Sequence, residues 1–373
     1  MRYLIFDSKI EGHHLEYIHH LYDKARSMMN DDFIFYLNNK FNEVKEIMEW
    51  EDAPNVKFEF LSDEEQMKSD NANLLIAAWH QSWIVRRIAN KEKIDKIWLI
   101  MFIHLMPFLP IILSNKIKIM GVLYRIYLYD KDKMKGVRLW LEKFRYSIFV
   151  NNKSVERILV LNDQYAVDQL NKIYSTDKFY FLPDPVPNID MSKVKNIRCE
   201  LGINPEDKVY LHFGGLDPRK GTLEILDAIA LMSEEELAGK VFVFAGRVYK
   251  SMHDDFYERY ERLKDKVKIL VYDEFCDYDF LNNLCYSCDC ILIPYKNPNQ
   301  SSGVIGYASL FQKPVIGPSQ GLLGRLIKEY KLGVTIDKID KNNIAKAIKA
   351  PIEIVSSCYA QSRQLSHFQL CYK

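Results

Sequence analysis

The segment Gly214-Gly215-Leu216-Asp217-Pro218-Arg219-Lys220-Gly221 combines the residue types that anion chemistry needs. An apolar run, Leu211-His212-Phe213, precedes it, and a helical pattern with Leu223, Leu226 and Ile229 follows from Thr222. Glycines let the backbone approach a ligand closely, a helix start attracts negative charge, and Arg with Lys neutralises a diphosphate without a metal. A departing diphosphate gains charge as its bond breaks, so cations placed in advance stabilise the transition state more than the ground state. A solvated turn with Arg and Lys pointing outward is the plain alternative. Placement at the first strand-to-helix turn of an α/β segment favours the ligand.

Gln300-Ser301-Ser302-Gly303-Val304 leads into another helix pattern that contains Tyr307. Ser301 or Ser302 can cap that helix, and the amides of Gly303 and Val304 can face a phosphate or a sugar hydroxyl. A plain cap with no ligand fits the same residues. Near the start, Glu11-Gly12-His13-His14-Leu15-Glu16 follows the first apolar run and opens a helix. His13 and His14 are candidate contacts, one of them a proton shuttle, although His19 and His20 make a merely His-rich helix a real alternative. Asp163 and the pair Tyr124-Arg125 follow other strand-like runs. Cys285-x-x-Cys288-x-Cys290 with Cys276 invites zinc, but no second CxxC or nearby His completes a site, so no metal is expected.

These residues need elements to hold them. Tyr3 to Phe6, Phe33 to Leu37, Val56 to Leu61, Ile97 to Ile103, Ile117 to Leu123, Ile158 to Leu161 and Phe179 to Leu182 read as strands separated by helical patterns. That is the signature of a parallel sheet covered on both faces. Ser62-Asp63-Glu64-Glu65 is a capping box and predicts a helix from about Asp63 through the Trp79 region. Pro183, Pro185, Pro187 and Asn188 interrupt the pattern and mark a linker. It restarts at Val209 to Phe213, Val241 to Phe244, Val267 to Val271, Cys290 to Ile293, Val315 to Ile316 and Val334 to Ile336. The expected organisation is a first domain over 1–186, a second over 187–355, and a tail over 356–373 able to pack back on the first.

With 373 residues the chain exceeds what one core usually supports. A formal net charge of +1 gives no global basic field for nucleic acid. The N-terminus runs straight into a strand without signal-peptide features, and irregularly spaced cysteines fit free thiols, so a cytoplasmic protein is expected. Ile97 to Leu113 is apolar apart from His104, but Pro107 and Pro110 break it and it is too short to span a bilayer. It reads as strand then helix, and contact with a lipid-linked substrate or the inner membrane face stays open.

The turn at Gly214 resembles the G-x-x-x-x-K-G region of the family 4 retaining glycosyltransferases of GT-B fold. Phe244-Ala245-Gly246, Ile293-Pro294-Tyr295, Lys313-Pro314-Val315-Ile316 and Leu332-Gly333 resemble the family's later landmarks in order, and Leu182-Pro183-Asp184-Pro185-Val186 resembles its interdomain connection. The resemblance implies two Rossmann-like doubly wound domains facing across a cleft. It further implies a metal-independent retaining transferase that uses a UDP- or GDP-linked sugar in bacterial surface polysaccharide or glycolipid assembly, with a saccharide or lipid-linked acceptor. Donor contacts would come from Gly214, Gly215, Arg219, Lys220, Gln300, Ser301, Ser302, Gly303, Val304 and Tyr307, and His13 and His14 would approach donor phosphate and acceptor. The family's paired glutamates fall instead on Asn299 and Tyr307, so their roles do not carry over. The segment from Ser301 resembles related sequences reading S-S-G-x-x-x-Y-A. A GT-B protein that binds a nucleotide-sugar or a partner enzyme without transfer, or a nucleotide-sugar epimerase, are the other readings.

Overall fold

A computed structural model of the protein describes residues 1–10, 14–43, 50, 53–124, 126–131, 134, 136–184, 186, 189–351, 355 and 358–364; the side chains of Glu16, Arg363 and Gln364 fall outside that description. His13 and Arg125 therefore lie outside the described residues. The chain divides into two compact units, one within Met1–Leu182 and the other within Pro183–His367.

The first unit carries β1 (Arg2–Asp7), β2 (Asp32–Leu37), β3 (Val56–Phe60), β4 (Lys96–Leu99), β5 (Lys118–Leu123), β6 (Val155–Leu161) and β7 (Phe179–Leu182). They form one sheet in the order β3-β2-β1-β4-β5-β6-β7, parallel at every pairing. Side chains alternate across it: Leu4 and Phe6 enter one core, Tyr3 and Ile5 the other. Both faces of β1, β2 and β5 are buried, which explains why these strands read as continuous apolar runs, whereas edge strand β3 alternates with Lys57 and Glu59.

The second unit repeats the plan with β8 (Lys208–Phe213), β9 (Lys240–Ala245), β10 (Lys268–Tyr272), β11 (Cys290–Leu292), β12 (Val315–Pro318) and β13 (Gly333–Ile336), ordered β10-β9-β8-β11-β12-β13 and again parallel. Val209, Leu211 and Phe213 face one core while Tyr210 faces the other. In each sheet the first strand lies between a neighbour on either side, β1 between β2 and β4 and β8 between β9 and β11. Ligands of doubly wound sheets sit at the carboxyl ends of such a pair, where the winding reverses.

The bounds of one helix and one strand are corrected. The capping box forms both ways, Glu65 N donating to Ser62 Oγ at 3.3 Å and Ser62 N to Glu65 Oε2 at 3.1 Å. Its helix stops at Ser69, however, and a new one, Leu74–Lys91, starts under a fresh cap from Asn73. The strand expected to reach Ile103 ends at Leu99; a 3-10 turn, Phe102–Leu105, and a short helix, Phe108–Ile112, follow. No described helix is long and apolar enough to cross a membrane. The two units divide after Leu182, and Val186 packs in the second core. Of the tail expected to reach the first domain, the helix Cys358–Gln364 packs in the second unit, with Ala360 N donating to Ser309 Oγ at 3.0 Å; residues 365–373 lie outside the described residues.

Candidate functional site

The Gly214 segment sits where the second sheet reverses its winding. After β8, Asp217 accepts from Arg219 N at 2.8 Å and caps the 3-10 turn Pro218–Lys220. Gly221 follows with φ +75° and opens the helix Thr222–Leu231 without a side-chain cap. A β-carbon at 221 would lie 2.2 Å from the Pro294 carbonyl oxygen. Only glycine lets this turn and the end of β11 touch. The first amides of the helix are thus left for an anion.

Both cations are oriented. Arg219 is mostly exposed, and its Nε pairs with the buried Asp217 carboxylate at 2.9 Å. Lys220 folds back over the glycines: its Nζ is 2.9 Å from where a β-carbon at 214 would be and 5.6 Å from the centroid of the Tyr295 ring. Gly215 beside it is exposed, with open space where a side chain would project. Under the turn, fully buried His212 bonds the Leu292 carbonyl through Nδ1 at 2.8 Å and the Thr222 hydroxyl through Nε2 at 2.9 Å. A carbonyl only accepts, so Nδ1 donates and Nε2 accepts. Burial, with the Lys220 charge nearby, lowers the imidazole to about 4, so the group beneath the cations is neutral.

Tyr295 joins this turn to the second predicted segment. Its ring carries Lys220, and its hydroxyl receives Ser302 Oγ at 3.4 Å. Ser302 occupies the cap position of the helix Gly303–Leu310, but its side chain makes no capping bond. The cap expected of the serines is therefore absent, because the Ser302 hydroxyl turns to Tyr295 and that of Ser301 donates to buried Asp184 at 2.5 Å. The start of this helix, at Gly303 and Val304, lacks a side-chain cap, as the one at Thr222 does. Gln300 is half-buried beside it. Tyr307 is a core residue: its ring is buried and meets Phe213 edge-on at 5.6 Å. The Val304 side chain is buried in the same core.

In the first unit the carboxyl end of β1 holds a pair that the residue types alone did not single out. Asp7 Oδ2 lies 2.6 Å from His14 Nδ1, and Oδ1 of the same carboxylate accepts from Lys9 N at 3.1 Å. Asp7 is buried and His14 largely so. A carboxylate on Nδ1 fixes the orientation of the ring and leaves Nε2 as its other hydrogen-bonding nitrogen. His104, on the turn after β4, lies close enough for Asp7 and His14 to act on its titration, and burial lowers its pKa. Asp163 instead caps the helix Gln164–Tyr174 through Ala166 N at 3.0 Å and takes the Tyr129 hydroxyl. Cys285, Cys288 and Cys290 are core residues whose thiols burial pushes up, and no group of potential metal ligands occurs among the described residues.

Asp7 and Tyr295 are the residues that motif reading missed. Both follow directly from the strand-end rule, since Asp7 closes β1 and Tyr295 lies just past β11.

No family model matches this chain, and no curated protein matches it. Solved structures do. Anabaena Alr3699/HepE in complex with UDP and glucose aligns over 99% of this chain and 95% of its own, at TM-score 0.66 and 17% identity. WaaG, a glycosyltransferase involved in lipopolysaccharide biosynthesis, aligns over 99% and 95% at TM-score 0.68 and 14% identity. An alpha,alpha-trehalose-phosphate synthase (UDP-forming) from Burkholderia vietnamiensis aligns over 100% and 98% at TM-score 0.68 and 11% identity. The chain therefore has the GT-B fold of two doubly wound parallel sheets.

Proposed function

We propose that the protein is a glycosyltransferase that takes a sugar from a nucleoside diphosphate and needs no metal to hold the diphosphate. The observation that carries the reading is the convergence of Arg219, Lys220 and two helix starts without side-chain caps, at Thr222 and Gly303, around Tyr295 at the winding reversal of the second sheet. The glycines admit the phosphates to the backbone, the helix starts supply partial positive charge, and Arg219 and Lys220 take up the charge that develops on the leaving diphosphate. The match to solved structures that contain UDP supports a UDP-linked donor, with a GDP-linked donor as the other base to try. Gln300 and the amides of Gly303 and Val304 are the proposed substitutes for the absent glutamates in holding sugar and ribose. Asp7 holds His14 as the group that handles the acceptor's proton. Transfer with retention of configuration, onto a saccharide or lipid-linked saccharide of a bacterial surface polymer, follows the resemblance of the motifs.

The test is turnover. Purified protein with a panel of nucleotide-sugars and saccharide acceptors is expected to release nucleoside diphosphate, and Arg219→Ala with Lys220→Ala to abolish the release. His14→Ala is expected to lower turnover by roughly 100-fold or more with donor affinity little changed, the size of a lost proton-transfer group. Donor binding without release across the panel would leave a nucleotide-sugar-binding protein and overturn the transferase reading.

A further inference from the structure

Two helices on one face of the first sheet expose apolar side chains that folding would ordinarily bury. Helix Leu74–Lys91 packs Ile84, Val85 and Ile88 into the core but leaves Leu74 (74% exposed), Leu75, Ile76, Trp79 and Trp83 toward solvent. Helix Val137–Asn151 buries Tyr146, Phe149 and Val150 in the same core and exposes Val137 (73%), Trp140 (60%), Leu141 and Phe144, a stripe at helical spacing. Trp140 and Phe144 stack on each other at 5.3 Å in open solvent. The short helix Phe108–Ile112 lies between: Phe108 meets Trp79 edge-on at 5.3 Å, Ile111 is exposed, and Arg145 donates to the Ile103 and Met106 carbonyls at 3.2 and 3.3 Å.

Both exposed stretches lie at the same edge of the sheet. Helix Leu74–Lys91 ends beside the start of β1, where Arg2 donates to the Glu92 carbonyl at 2.8 Å, and the residues after helix Val137–Asn151 reach the start of β5, where Ile119 N donates to the Ser154 carbonyl at 2.7 Å. Their first turns are therefore at the carboxyl edge, the edge that carries Asp7 and His14.

Positive charge is in excess on this face. Helix Leu74–Lys91 contains Arg86, Arg87 and Lys91 and no carboxylate. Helix Val137–Asn151 contains Arg138, Lys143 and Arg145 and a single carboxylate, Glu142, which Arg145 pairs at 2.9 Å. On the neighbouring helix, Glu64 and Glu65 are paired with Lys68 and Arg87. Arg86 lies over the Trp83 ring at 4.8 Å. Exposed Trp and Phe flanked by an excess of basic residues, with the nearby carboxylates each held in an ion pair, form a surface that suits a bilayer interface. A two-fold contact between copies through this face would bring its excess positive charge against the same excess on the other copy.

We infer that this face docks the protein onto an anionic lipid surface, with Trp79, Trp83, Trp140 and Phe144 entering the headgroup region and Arg86, Arg138 and Lys143 facing lipid phosphates. The inference goes beyond the transferase reading, and its test does not depend on nucleotide binding or turnover. Docking would hold the Asp7 and His14 edge at the depth where a lipid-linked acceptor presents its headgroup.

The full chain is floated with phosphatidylcholine vesicles, alone or with about one third phosphatidylglycerol, at rising salt. Flotation with the anionic vesicles only, lost at high salt, is expected. R138Q/K143Q should weaken vesicle binding roughly 30-fold, the loss of two attractive charges, and W140S/F144S at least about 10-fold. Both sites are exposed, and melting curves establish that each variant folds; the two change different chemistry, so either decides the matter alone. No flotation with anionic vesicles, undiminished binding by the folded variants, or a dimer that W140S/F144S dissolves would overturn the inference, the last by making the face a contact between copies.

Discussion

Arg219 and Lys220 are neighbours held by different means, and the difference bears on what they can bind. The Arg219 guanidinium is tethered at Nε by a buried carboxylate, an exposed pair that adds little stability of its own but sets the direction of the fork. The Lys220 ammonium rests between the glycine backbone and the Tyr295 ring, where a diphosphate laid along the glycines would meet it. His212 beneath them is neutral, and its pKa of about 4 against an ordinary 6.5 makes it a source of acid sensitivity. An unfolded imidazole takes up a proton below about pH 6.5 that the folded one refuses until about pH 4. The stabilisation His212 supplies is thus fully present above that range and lost as the pH falls through it, roughly 3 kcal/mol in all. His212→Asn removes the effect, so the gap in unfolding free energy between wild type and variant, measured by urea titration, is expected to narrow by about that amount between roughly pH 7 and pH 4. A gap constant across the range would mean that His212 does not titrate as its burial requires.

Among the elements, the turn from β8 into its helix separates what the fold needs from what a ligand needs. Gly221, with φ +75° and a carbonyl 2.2 Å from any β-carbon, is required by the backbone, whereas Gly215 has open space around it. Gly221→Ala is expected to cost more than about 1 kcal/mol and to lower the melting temperature. Gly215→Ala should leave melting within about 0.5 kcal/mol of wild type yet weaken nucleotide binding, since the added methyl intrudes only when phosphates lie against the backbone. Unchanged nucleotide affinity in Gly215→Ala would argue that no ligand approaches there. All the strands read from apolar runs are present: most are buried on both faces of a parallel sheet, and where edge strand β3 alternates with Lys57 and Glu59, its Val56, Phe58 and Phe60 still carry the pattern. What the sequence did not disclose was local. One continuous helix was expected across Asp70 to Asn73, although Asn73 can cap a new start; the ring of Tyr307, a candidate ligand contact, is buried against Phe213. Asp7 and Tyr295 stand where the strand-end rule points, and strand order singles out their two strand ends by setting β1 beside β4 and β8 beside β11.

For the whole molecule, two units each have their own core, with the Gly214 segment in the second and the pair of Asp7 and His14 in the first. This division was legible from the proline-rich break and the restart of the strand pattern, while the identity of sugar and acceptor was not, because neither leaves a spacing that strands and helices must obey. The proposed transfer rests on the second unit gripping a nucleoside diphosphate without a metal. Isothermal titration of UDP and of GDP into the full chain, in excess chelator, measures that directly. One of the two should bind, and Arg219→Ala with Lys220→Ala should weaken it by roughly 100-fold or more, at about 1.5 kcal/mol or above for each charge-assisted contact, with the melting temperature unchanged. Binding that survives the double substitution undiminished, or that neither nucleotide shows until a divalent metal is supplied, would contradict it.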